Sequence, residues 1–154
     1  MPRPTRALAH RLRIGRCSEA GRIYLLTATL LERQPLFHDV HLARLLVAQL
    51  RAAQQEGRVE SLAWVVMPDH LHWLVRLQRG SLDELMQRLK GGSARSINAR
   101  LGRRGPLWQH GYHDRALREE EDLQAMARYV VANPLRAGLV ERVGDYPLWD
   151  AVWV

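Results

Sequence analysis

The sequence predicts a single-domain α+β fold with helices packed on an antiparallel sheet. Three observations carry it. Extended apolar runs alternate with segments of helical periodicity. Two of the extended runs, 61–67 and 70–77, are separated only by Pro68-Asp69, a turn that makes them an antiparallel hairpin. The 154 residues leave room for one compact core and little else.

The elements follow in order. Residues 1–20, with Arg11, Arg13 and Arg16 among few apolar neighbours, read as a basic N-terminal arm ahead of a domain spanning 21–154. The run 23–31, introduced by Gly21, is rich in β-formers and apolar enough to be a strand buried on both faces. Asp39 then caps a helix whose apolar positions Leu42, Leu45, Leu46, Leu50 and Ala53 recur at helical spacing, and Gly57 ends it. After the hairpin, Ser81 and Glu84 form a capping box for a second helix, with Leu82, Leu85, Met86 and Leu89 on one face. Gly91-Gly92-Ser93 weakens its middle, and Gly102 and Gly105-Pro106 stop it. Residues 107–117 read as a fourth strand, and 119–132 as a third helix with acidic residues in its first turn. Asn133-Pro134 turns the chain, and 135–140 form a short further helix. Strand, helix, hairpin, helix, strand, helix is the order of the ferredoxin-like arrangement.

Composition narrows the function. An apolar share of 47% with 25% charged residues excludes wholesale disorder. No run is long enough to cross a membrane, and the basic N-terminus lacks the apolar stretch of a signal peptide, so a cytoplasmic protein is expected. Cys17 is the only cysteine, which excludes an internal disulfide and cysteine-cluster zinc sites. The net charge is +7 and 22 of the 23 basic residues are arginines, Lys90 being the exception. Arginine's planar fork suits phosphate, and a pI near 10.6 fits a nucleic-acid binder.

Four positions have the makings of chemistry. His70 and His72 are i and i+2 on a strand, so both imidazoles project from one face and can converge on one metal ion, while Leu71, Trp73, Val75 and Leu77 point the other way. Two histidines on a polar strand face would look the same without a metal. On the third helix the apolar stripe is Leu123, Met126, Ala127 and Val130, and Tyr129 falls well off it. Tyr129 is either a reactive phenol or an edge tyrosine packing its ring. Asn133 lies four residues on, on the same face if the helix persists; followed by Pro134, it also reads as an N-cap.

Taken together, Met67-Pro68-Asp69-His70-Leu71-His72-Trp73-Leu74-Val75 and the run from Ala127 to Val140, Ala-Arg-Tyr-Val-Val-Ala-Asn-Pro-Leu-Arg-Ala-Gly-Leu-Val, closely resemble the HUH-class single-strand DNA transposases of the IS200-like superfamily. Gly21-Arg22-Ile23-Tyr24, and Trp108-Gln109-His110-Gly111-Tyr112-His113-Asp114-Arg115, are similar to the branch of REP-associated tyrosine transposases. The tail departs from that branch: Asp145-Tyr146-Pro147 leads into Leu148-Trp149-Asp150-Ala151 where a serine pair is frequent. The resemblance implies the HUH endonuclease fold and Tyr129 as a nucleophile forming a 5′-phosphotyrosine. It implies His70, His72 and Asn133 as ligands of Mg²⁺ or Mn²⁺. The expected substrate is single-stranded or hairpin DNA of repetitive extragenic palindromes, met on the nucleoid by a monomer or homodimer. Candidate DNA contacts are Arg11, Arg13, Arg16, Arg88, Lys90, Arg95, Arg103, Arg104 and Arg115. The rival function is a non-catalytic nucleic-acid-binding regulator on the same fold; a third is a metal-dependent hydrolase that uses water.

Overall fold

A computed structural model describes residues 18–118 and 122–152; the basic arm, with Arg11, Arg13 and Arg16, lies outside the described residues. The elements are β1 (Ile23–Thr29), α1 (Val40–Gln55), β2 (Val59–Met67), β3 (His70–Leu77), α2 (Leu82–Leu101), β4 (His113–Ala116), α3 (Leu123–Val131), α4 (Asn133–Arg136) and β5 (Trp149–Ala151). The sheet order is β4-β1-β3-β2-β5, antiparallel throughout. Its first four strands reproduce the expected βαββαβ arrangement.

Each face of the sheet has its own core. Tyr24, Leu26, Ala28, Leu71, Trp73, Val75 and Leu77 are buried with the apolar sides of α1 and α2. On the other face Leu62, Val65, Met67 and Leu74 pack against Ala127, Val130 and Val131 of α3. This second face is only partly covered. Ile23, Leu25, Thr27 and Thr29 of β1 alternate as half-buried residues with the buried ones, so β1 is not buried on both faces.

Other expectations are corrected by local causes. Gly91-Gly92-Ser93 does not weaken α2, which runs unbroken for 20 residues. A Cβ at Gly92 would stand 2.3 Å from Gln49 Oε1 of α1, so the glycine leaves room for the neighbouring helix. Buried Ser93 donates to the Leu89 carbonyl and accepts from Trp108 Nε1. The fourth strand shrinks to His113–Ala116 because the chain bends at Gly111, whose φ of 76° suits glycine. Trp108 keeps one bridge to Leu30. Asp122 caps α3 by accepting from Ala125 N–H, and no acidic residue stands in the first turn. Helix α4 starts at Asn133, two residues before the predicted start, and the chain turns at Gly138 with φ 73°. The tail supplies an unpredicted edge strand, β5, anchored where Tyr146 Oη donates to the Val66 carbonyl at 2.6 Å.

Candidate active site

The hairpin places the histidines. Met67 pairs with His70 and Val65 with His72, so both imidazoles stand on the face that α3 partly covers. Their ring centroids are 4.8 Å apart, edge to face. Each ring is held through its Nδ1: His70 by Asp69 Oδ1 at 2.6 Å, His72 by Thr27 Oγ1 at 2.9 Å. That leaves the two Nε2 atoms at the free end of each ring, oriented by second partners in the way metal-binding histidines are. Burial, then the charges of His70 and Arg136, push the His72 pKa down to about 4, so the ring is neutral at physiological pH. Asp69 is raised by its burial but lowered more by its hydrogen bond and charge contact with His70 and by Arg33, and its pKa ends below the usual carboxylate value. Arg33 reaches Asp69 Oδ2 at 3.3 Å from a turn in which Glu32 and Arg33 both have positive φ, 56° and 51°.

Tyr129 lies on α3, 56% exposed, outside the apolar stripe. Its ring is not packed at a core edge; the Arg136 guanidinium stacks on it with the central carbon 3.8 Å from the ring centroid. Asn133 does not cap α4. Ala132 holds that position with no side-chain cap, and the Asn133 amide turns back instead. The cause is Pro134, which has no N–H to give the Val130 carbonyl its helical partner; Asn133 Nδ2 donates to that carbonyl at 2.9 Å. Because a carbonyl only accepts, this fixes the amide orientation and leaves Oδ1 as the atom free of the helix.

Among the described residues no group of three His, Cys, Asp or Glu side chains converges to hold a metal. An amide oxygen such as Asn133 Oδ1 is a donor of the kind a divalent cation accepts beside imidazole nitrogens, and two nitrogens with one oxygen would leave positions open for water or phosphate oxygens.

The predicted cationic contacts separate. Helix α2 lies on the sheet face opposite the histidines. There Lys90 donates its ammonium to the carbonyls of Gln109 and Gly111, pinning the loop before β4. Arg88 pairs with Glu56 at 3.8 Å, and Arg103 reaches Asn98 and Gln34. Arg95 and Arg104 are exposed on the same helix and just past its end. Arg115 is the exception: it pairs with Leu25 and so shares the histidine face, as does His113 opposite Thr27. His113 and Arg136 were not singled out by sequence. Register reveals the first, and the i+7 offset from Tyr129 could have revealed the second. A groove of about 670 Å³, lined in part by Arg51, Gln54, Glu60, Trp64 and Asp150, lies by the β2–β5 edge and includes none of His70, His72, Tyr129 and Asn133.

Paired histidines on a central strand, with a tyrosine-bearing helix over their face of an antiparallel βαββαβ sheet, define a class of DNA transposase. The family profile described as "Transposase IS200 like" matches residues 22–133, and the chain belongs to that family. It is similar to the REP-associated tyrosine transposase of Escherichia coli (strain K12), 31% identical over 85 residues, 55% of this chain and 50% of that one. A relative from Haemophilus influenzae is 27% identical over 99 residues, 57% of this chain and 56% of the other. The chain spans about half the length of the curated relatives it matches. The fold is also that of a solved REP-associated tyrosine transposase bound to a REP hairpin: TM-score 0.72 at 22% identity, covering 86% of this chain and 78% of that one. Among the described residues no helix is long and apolar enough to cross a membrane.

Proposed function

We propose that this chain is a strand transferase that cleaves and rejoins single-stranded or hairpin DNA of repetitive extragenic palindromes through Tyr129. The observation that carries the proposal is the juxtaposition just described: an exposed tyrosine on the helix packed over the face that bears His70 and His72. Tyr129 Oη attacks the phosphorus of a phosphodiester, the bond to the 3′-oxygen breaks, and that oxygen leaves as a 3′-hydroxyl, taking up a proton. The 5′-phosphate stays on the tyrosine. Attack by another 3′-hydroxyl reverses the step, so the phosphodiester energy is kept and no nucleotide cofactor is needed.

His70 Nε2, His72 Nε2 and Asn133 Oδ1 would hold a divalent cation, Mg²⁺ or Mn²⁺. When bound, it would draw charge from the phosphate oxygens and so assist a neutral phenol, which is a weak nucleophile. Asp69 and Thr27 hold the two imidazoles by Nδ1 and so orient them with Nε2 at the free end of each ring. The excess of arginine holds the DNA backbone.

An end-labelled hairpin oligonucleotide incubated with the protein and Mg²⁺ tests this. A covalent protein–DNA band that disappears in Tyr129→Phe supports it. Binding without cleavage points to a regulator, and cleavage without an adduct to a water nucleophile; either result refutes the tyrosine mechanism.

A further inference from the structure

The segment that carries the tyrosine does not end with α3. Ala132 and Ala137, on either side of α4, both keep right-handed helical backbone, so Tyr129 and Arg136 belong to one continuous piece of chain, seven residues and two turns apart on one side. Arg136 is tied to Tyr129 twice: its guanidinium stacks on the ring at 3.8 Å, and its Nη2 donates to the Tyr129 carbonyl at 2.7 Å. That carbonyl belongs to the last turn of α3, where helical acceptors run short of partners. Among the described residues Arg136 makes these two contacts with Tyr129 and has no carboxylate partner.

We propose that Arg136 is a positioning residue for the Tyr129 nucleophile and a built-in counter-charge for the phosphate that the tyrosine takes up. The inference rests on the tyrosine mechanism proposed above. The stack restrains an otherwise exposed ring on one face and leaves Oη at its free end for attack. The N–H edges of the guanidinium not spent on the Tyr129 carbonyl are hydrogen-bond donors beside the phosphate once it is esterified to Oη, and a guanidinium fits phosphate through paired N–H groups. Because Arg136 rides on the same chain segment as the tyrosine, it follows the phosphate wherever that segment goes.

The experiment measures single-turnover adduct formation on saturating hairpin DNA with Mg²⁺ for the wild type, Arg136→Gln and Arg136→Lys. Melting curves and DNA affinities accompany each. Arg136→Gln should slow adduct formation by about tenfold or more, roughly the effect of losing one charged contact to the reacting phosphate. DNA affinity and melting should stay close to wild type. Arg136→Lys, which keeps the charge but not the planar stack, should recover part of the rate. A second readout needs no DNA: in protein labelled with ¹³C-tyrosine, the ring resonance that is lost in Tyr129→Phe should shift in Arg136→Gln, while those of Tyr24, Tyr112 and Tyr146 stay in place. An unshifted resonance, or a glutamine variant as fast as a wild type that does form the adduct, overturns the role of Arg136 alone. A wild type that forms no adduct brings down the tyrosine mechanism and this role with it.

Discussion

On one face of the sheet Leu71, Trp73, Val75 and Leu77 are wholly enclosed, under two helices of 16 and 20 residues. On the other, the residues between them are His70, His72, Leu74 and Arg76, and the cover is the nine-residue α3, which buries only Ala127, Val130 and Val131. One strand thus serves two purposes by simple alternation. The closed side supplies rigidity, and the open side leaves donors within reach of solvent and substrate. A site fixed on a central strand inherits the precision of the sheet, whereas Tyr129, the proposed nucleophile, sits on the less firmly held helix.

Substitutions on the two sides should fail differently. Tyr129→Phe, on the open side, should abolish the covalent adduct, a loss of at least about 10³-fold, with no change in melting, since the hydroxyl of an exposed residue supports no packing. Trp73→Ala, on the closed side, should cost about 3–5 kcal/mol in denaturant unfolding and lower activity only through loss of folded protein. A Trp73 variant that keeps its stability would break the comparison.

His72 links the two properties. Above pH 6.5 it is neutral both folded and unfolded and adds no pH slope. Between about 6.5 and its folded value of about 4, the unfolded chain takes up a proton that the folded chain refuses, so stability should fall as the pH falls through that window. His72→Ala should flatten this part of the stability curve and at the same time weaken the Mg²⁺ or Mn²⁺ dependence of cleavage. If the slope is unchanged, His72 is not the group that titrates.

Asn133 sharpens the contrast further. Asn133→Asp offers a better cation ligand but sets a carboxylate against the Val130 carbonyl, so cation affinity should rise while stability drops by about 1 kcal/mol. Asn133→Ser should lose cation affinity. Equal cation dependence in all three proteins would remove Asn133 from the ligand set. The smallest effect is expected at Gly92. Alanine there gains up to about 1 kcal/mol of helix propensity but displaces the flexible Gln49 amide, so Gly92→Ala should be nearly neutral, and stabilising once combined with Gln49→Ala.

Much of this was readable from the residues. The alternation of His70, His72 with Leu71, Trp73 is a period-two signal strong enough to define both faces, and Asp39 and Ser81 mark their helices because each side chain does accept the cap hydrogen bond. What the sequence could not give was partnership across space. Lys90 reads as a candidate DNA contact with no sign of the loop carbonyls it also binds, and nothing in the sequence places the α2 arginines on the face opposite the histidines. Strand β5 has three residues, too few for any period to show. Pro134 reads as a break in direction, yet the Asn133 amide supplies the missing hydrogen bond, and that continuity brings Arg136 back to Tyr129.

The slight anchoring of α3 has a consequence in time. With two valines and an alanine as its buried contacts, this helix has a smaller hydrophobic hold than any element on the closed face, so its amides should exchange with solvent through local opening well before those of β3. Under the mechanism proposed for Tyr129, the helix that would bond to DNA is then also one that opens readily, and it could carry an attached strand end between joining partners while the histidine strand beneath it stays still.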